Sequence, residues 1–148
     1  EVARMKHRSG AIKPISLCAA LIVLLGCPGD LTPPYYYGDW VNDDPDTRYI
    51  ARIVIGPEDR DTVIVNAYGA CDPEPCDWEA VNGWFSGGSP NGYDVVAHYD
   101  NVGQTVKRVD LSMLLDRYAG LLTVHEHYSF YDSERPDESL DETFHRAD

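Results

Sequence analysis

Positive charge is scarce in this chain of 148 residues: 12 lysines and arginines stand against 25 aspartates and glutamates, a formal charge of −13. A surplus of that sign repels a phosphate backbone, so nucleic acid is not an expected partner. Long apolar runs are missing too. The apolar core of the one nearly uncharged stretch, Ile15 to Leu25, is shorter than the roughly 20 residues a helix needs to cross a bilayer, which argues against a permanent transmembrane span. Serine, histidine and aspartate all occur, but no G-x-S-x-G elbow accompanies them and no other catalytic signature is complete. What remains is a composition with 43% hydrophobic and 11% aromatic residues, enough for one packed domain and too much for a disordered chain.

The first 26 residues read as a signal segment rather than part of the fold. Arg4, Lys6, Arg8 and Lys13 form a basic region ahead of the short apolar stretch, and Met5 is a plausible start. An ordinary signal peptidase site needs small residues at −3 and −1, and no such pair lies just beyond the apolar core. Leu24-Leu25-Gly26-Cys27 instead resembles the lipobox of bacterial lipoproteins, which implies that Cys27 becomes the acylated first residue. A diacylglyceryl group supplies the two chains that stable membrane anchoring requires. The expected location is therefore the bacterial cell envelope, membrane-anchored through Cys27, or secreted if the resemblance is fortuitous.

Cysteine usage follows that division. Cys18 leaves with the signal and Cys27 carries lipid, so Cys71 and Cys76 are the thiols left to the folded part. Export favours oxidation, and Cys71-Asp72-Pro73-Glu74-Pro75-Cys76 is a tight loop that suits a disulfide; two cysteines alone are half of a zinc set. Without residues 1–26 the chain has 122 residues, 8 positive and 24 negative, net −16. Acid gathers at Asp43, Asp44 and Asp46, and from Asp132 through Glu134, Asp137, Glu138 and Asp141 to Glu142, where solvated loops are expected.

Residues 27–34, with Pro28, Pro33 and Pro34, cannot make a helix and read as a tether. From residue 35 to 148 the pattern is that of strands: β-branched and aromatic runs over about 35–41, 49–56, 62–69, 77–85, 93–100, 104–114, 120–131 and 139–146, separated by turn signals. Ser112 to Tyr118 could form a turn that Gly120 stops. Eight short strands with short connections predict an all-β antiparallel meander, most economically closed into a small barrel without edges. Alternation puts Val63, Val65 and Ala67 on one face of the third strand, and Leu122, Val124, Glu126, Tyr128 and Phe130 on one face of the seventh. A barrel of about eight strands is either filled by side chains or holds one small ligand.

Two resemblances attach here. Gly38-Asp39-Trp40 is similar to the G-x-W that opens the calycin barrels, the lipocalin and avidin group, which implies a tryptophan plugging a closed end. The span from about Gly38 to Phe144 resembles a group of small exported bacterial domains of unassigned function, with Asn42, Pro45, Thr47, Arg48, Ile50 and Arg52 followed by Gly69-x-Cys71-x-Pro73-x-x-Cys76-Asp77-Trp78. It implies a β-rich exported domain, supports the disulfide, and supplies no catalytic residues; Tyr68 stands where that pattern has Trp.

Several constellations could carry chemistry. Asn42-x-Asp44-x-Asp46 has the alternating oxygens of a calcium loop but Thr47 replaces its glycine and Ile53 its closing glutamate. His125 and His127 share a strand face and could, with His98, hold a metal, yet with Thr123 and Ser129 they read better as a solvent face; no metal or cofactor is expected. Glu126 has an apolar face, so it either meets an arginine, with Arg52 and Arg108 the candidates, or has a raised pKa. Tyr68, Trp78, Trp84 and Tyr99, with Phe85, are core residues or a ligand cage, and Tyr35-Tyr36-Tyr37 could touch a surface or a glycan. The reading these observations favour is a binding or interaction module without catalytic activity, for a small molecule, glycan or protein. A structural envelope domain is the alternative, and an enzyme would need Glu126 or His98 to line an open cleft.

Overall fold

The computed structural model of the chain describes residues 35–59, 61–86 and 94–148. The expected signal segment, the lipobox-like stretch ending at Cys27 and the expected tether lie outside the described residues. Eight strands follow one another: β1 (Gly38–Asn42), β2 (Ile50–Pro57), β3 (Thr62–Gly69), β4 (Cys76–Ser86), β5 (Asp94–Asp100), β6 (Val106–Asp116), β7 (Leu121–Phe130) and β8 (Glu138–Arg146). Each pairs antiparallel with the next and β8 returns to β1, so the sheet is a closed barrel in which sequence order is spatial order. β1 starts three residues later than the pattern suggests, because Tyr35–Tyr37 turn beneath the barrel instead of joining its wall. β6 runs on to Asp116, and the turn after it closes at Gly120, whose positive φ of 70° suits glycine.

Alternation decides the interior as the sequence implies. Val63, Val65 and Ala67 on β3, Val95, Ala97 and Tyr99 on β5, and Leu122, Val124, Glu126 and Tyr128 on β7 are all buried, while their odd-step neighbours face outward. Because the sheet is a meander, successive turns fall at opposite ends. The strand ends Pro57, Thr62, Ser86, Asp94, Asp116 and Leu121 lie at one end with residues 35–37 and 146–148; the connections 43–49, 70–75, 101–105 and 131–137 lie at the other.

The first end is closed. Trp40 is fully buried there, its indole Nε1 donating to Tyr36 O at 2.9 Å. Arg146, from the last residue of β8, lays its guanidinium 4.5 Å from the Trp40 ring centroid and donates to Tyr37 O and Tyr35 O at 2.6 and 2.5 Å. Position 38 must be glycine: its φ is 145°, and a Cβ would collide with that guanidinium. Tyr36, buried edge-on against Phe85, accepts from Leu115 N at 3.1 Å and so ties the N-terminal turn to β6. Trp40→Ala is expected to cost about 3–5 kcal/mol through the cavity it leaves, and Arg146→Ala about 1.5–3 kcal/mol through two stranded carbonyls. Denaturant unfolding of both variants checks this order; an Arg146→Ala protein as stable as the wild type would show that the closed end holds without its cover.

Candidate functional site

The opposite end is a mouth, and three β-bulges shape it. The β2–β3, β3–β4 and β6–β7 ladders each slip by one residue, between Ile50 and Arg52, opposite Ala67, and between Val106 and Arg108. An extra residue bends a strand and re-aims the side chains beyond it. On β4 the bulge sets Trp78 and Glu79 against one residue of β3, with Glu79 at a positive φ of 66° and its N–H received by Asp77 Oδ1 at 2.8 Å. Trp78 thereby turns inward, although Trp84, six residues on and of the same parity, faces outward. Gly69 makes room: a Cβ there would stand 2.6 Å from the Trp78 indole nitrogen. The Cys71 and Cys76 sulfurs stand at disulfide distance, with Cα atoms 5.5 Å apart, where the Gly69↔Cys76 pair ends the ladder.

Below the rim the barrel is filled by its own side chains, and at the rim a cavity of about 220 Å³ remains. Its walls include Tyr49, Gly69, Trp78, Tyr128 and Phe130, with Arg48, Arg135 and Glu138 at its edge. The rings meet at angles suited to their quadrupoles: Trp78 edge-on to Tyr99 at 5.5 Å and to Tyr128 at 6.5 Å, Tyr49 tilted on Tyr128 at 5.3 Å. Tyr99 is spoken for structurally. Its hydroxyl accepts from Ala67 N at 3.0 Å and donates to Val65 O at 2.8 Å beside the bulge, and burial pushes its phenol well up. A wider cleft of about 570 Å³ lies outside the rim between Asp77–Glu79 and Asp100–Gly103, sharing Cys71 and Trp78 as walls.

Glu126 is fully buried beneath Tyr128, as alternation predicts, but neither candidate arginine reaches it. Arg52 lies on the outer wall, paired with Asp39 through two bonds of 2.7 and 2.5 Å and lying over Tyr68; Arg108 is also outside, 2.6 Å from Asp110 Oδ1. The arginine pairing is thus corrected, and the reason is parity, since each arginine immediately precedes an inward residue, Ile53 or Val109. The partners of Glu126 are Tyr128, whose hydroxyl donates to Oε2, and Glu142, on the inner face of β8. Thr47 Oγ1 donates to Glu142 Oε1 at 2.5 Å. The remaining oxygens, Glu126 Oε1 and Glu142 Oε2, are buried with no hydrogen-bond partner among the described residues. Burial, opposed by the Tyr128 hydrogen bond and reinforced by the neighbouring Glu142 carboxyl, pushes Glu126 up to about 9. Burial and Glu126 together raise the Tyr128 phenol, which stays a donor.

The other expected site residues are elsewhere. The ligand set divides: Trp78 and Tyr99 are inside, whereas Tyr68 and Trp84 lie on the outer wall, Tyr68 hydrogen-bonded by Asn66 at 3.0 Å and Trp84 beside His98. His98, His125 and His127 all face out and bond across the ladder, to Asp110 at 2.5 Å, Asp141 at 2.7 Å and Ser139 at 2.8 Å. Burial works to raise the Asp110 carboxyl, but Arg108 and His98 overrule it and hold it low. In the 42–46 loop the oxygens cap backbone instead of converging: Asn42 Oδ1 receives Asp44 N at 2.8 Å and Asp44 Oδ1 receives Asp46 N at 2.9 Å. Among the described residues no group of three His, Cys, Asp or Glu side chains is placed to hold a metal. Glu138 and Glu142, expected in a solvated connection, belong to the inner face of β8, where Leu140 and Phe144 between and beyond them carried the signal.

The native Glu126 carboxyl keeps its proton to about pH 9, whereas an ordinary one releases it near 4.5. The stability this group contributes is therefore fully present below about pH 4.5 and is lost as pH rises through 9, at up to about 1.4 kcal/mol per pH unit. Glu126→Gln, a neutral isostere that still accepts from Tyr128, is expected to flatten the fall in unfolding free energy between pH 5 and 9, read by urea titration; equal slopes would place the proton elsewhere. Compared with known proteins, the chain matches no family model, no curated protein and no solved structure.

Proposed function

We propose that the chain is a non-catalytic binding module of the bacterial cell envelope, lipid-anchored through Cys27 or secreted, that takes its ligand in the barrel mouth. The observation that carries this reading is the difference between the two ends: the hollows of about 320 and 170 Å³ at the first end lie outside the plug of Trp40, Tyr36 and Arg146, whereas the cavity of about 220 Å³ at the other end is walled by the inward-turned aromatic side chains Tyr49, Trp78, Tyr128 and Phe130. That volume is below the roughly 300–1,000 Å³ of ordinary ligand sites and suits a small ring or the head of a longer molecule. A binding role is favoured over catalysis because Glu126, the buried acid of the interior, lies under Tyr128 and is occupied by Tyr128 and Glu142. General acid or base work needs a group within hydrogen-bond reach of substrate. The geometry also suits an anchor. The segment before Tyr35 joins the barrel at its closed end, and residues 27–34 extend no more than about 30 Å, so a lipidated Cys27 would hold the closed end near the bilayer and present the mouth away from it.

Two measurements test this. Cys27→Ser is expected to abolish lipid labelling and move the protein from the detergent phase to the aqueous phase of an extraction; an unmodified protein already in the aqueous phase would remove the anchor and leave the secreted form. For the mouth, chemical-shift mapping against a panel of small amines, sugars and short peptides is expected to move the Trp78 indole and the Gly69–Cys71 amides. Shifts confined to Trp84 on the outer wall, or none anywhere, would sink the mouth as the binding site.

A further inference from the structure

We infer that the group the mouth recognises is an organic cation, a guanidinium or ammonium on an apolar stem, and that Arg135 occupies its place until it arrives. The inference rests on the mouth being the binding site and names the chemistry of what enters it. Arg135, in the β7–β8 connection, folds its guanidinium 3.5 Å from the Phe130 ring centroid, and its Nη2 donates to Glu138 Oε1 at 3.0 Å. The Tyr49 hydroxyl lies 3.5 Å from the other oxygen of the same carboxylate. A cation on an aromatic face with a carboxylate beside it is how proteins hold guanidinium and ammonium groups, so the cavity edge displays the recognition geometry with the protein's own side chain as guest.

Charge points the same way. The four mouth connections, 43–49, 70–75, 101–105 and 131–137, carry eight acidic residues against Arg48 and Arg135. Among the described residues, the connections at the closed end carry Glu58, Asp59 and Asp61 against Arg117. The protein's field is therefore concentrated at the cavity, where it draws cations and turns anions away. Arg135 is also free to leave. Both side chains of its pair with Glu138 are more than one-third exposed, its backbone N–H is held in a short turn by Asp132 O at 3.1 Å, and exposed pairs of this kind contribute little to stability. Its departure opens Phe130 and Glu138 to a guest of like chemistry, which makes the contact an occluding one.

The probes are butylguanidinium and butylammonium, with butanol and butyrate as neutral and anionic counterparts, read by shifts at the Trp78 indole and the Gly69–Cys71 amides. Both cations are expected to bind there, more weakly as salt rises. Arg135→Gln is expected to tighten butylguanidinium binding by up to about tenfold, as removal of an occluding state does, and Glu138→Gln to weaken it, with thermal melts confirming that both variants fold. Acetyl-Gly-Arg-Gly-amide separates the sources: tighter binding than butylguanidinium points to a side chain of a partner polypeptide, equal or weaker binding to a free small cation, and either agrees with the inference. Butanol or butyrate binding at the mouth as well as the cations would overturn the cation while leaving the mouth as a site. No mouth shifts with any probe, in the wild type or in Arg135→Gln, would overturn the inference and count against the mouth itself.

Discussion

Everything in this barrel depends on a short seam. β1 has only five residues and meets β8 over three register pairs, Trp40↔Arg146, Val41↔His145 and Asn42↔Phe144. A sheet whose first and last strands did not meet would expose two edges and open its core to water. The contacts around the seam are correspondingly dense. Asp43 N donates to Thr143 O at 2.8 Å and Ala147 N to Asp39 O at 2.9 Å, His145 bonds Asp43 at 2.5 Å, and Arg146 reaches over Trp40 to the carbonyls of Tyr35 and Tyr37. The pairing that closes the sheet also plugs its lower end, so one set of residues serves both tasks.

The mouth is made by interrupting what the seam completes. Each bulge lies within a few residues of the open rim, and each brings inward a side chain that strict alternation from the middle of its strand would send out: Ile50, Trp78 and Val106. The bulge on β4 leaves a gap beside Ala67 that the Tyr99 hydroxyl fills from across the interior. The Gly69 to Trp78 segment is thus one unit, in which the glycine clears space for the indole, the cysteines fix the turn, and Asp77 steadies the left-handed Glu79.

The barrel was legible because period-two alternation and turn residues are local signals, and Glu126 was legible as an interior acid because four apolar or aromatic neighbours share its face. Its partner was not, since charge suggested arginine while parity already placed Arg52 and Arg108 outside. Glu138 and Glu142 were hidden by their own acidity: among so many carboxylates, the alternation with Leu140 and Phe144 was outweighed by the charge run. Trp78 was legible as one of an aromatic set, but what separates it from the outward Trp84 was not. A bulge reverses parity, and nothing about Glu79 as a residue type announces a left-handed backbone.

Residues 35–37 and 146–148 lie together beneath the closed end, on the far side of the core from the four connections that form the mouth. Connection 43–49 is bound into the β1–β8 seam through Asp43 and Thr47, but 70–75 and 101–105 stand away from it, so their length and composition can change with less effect on barrel closure. A fusion partner or a solid support joined next to residues 35–37 or 146–148 would leave the mouth unobstructed, which makes this barrel a scaffold for grafted loops.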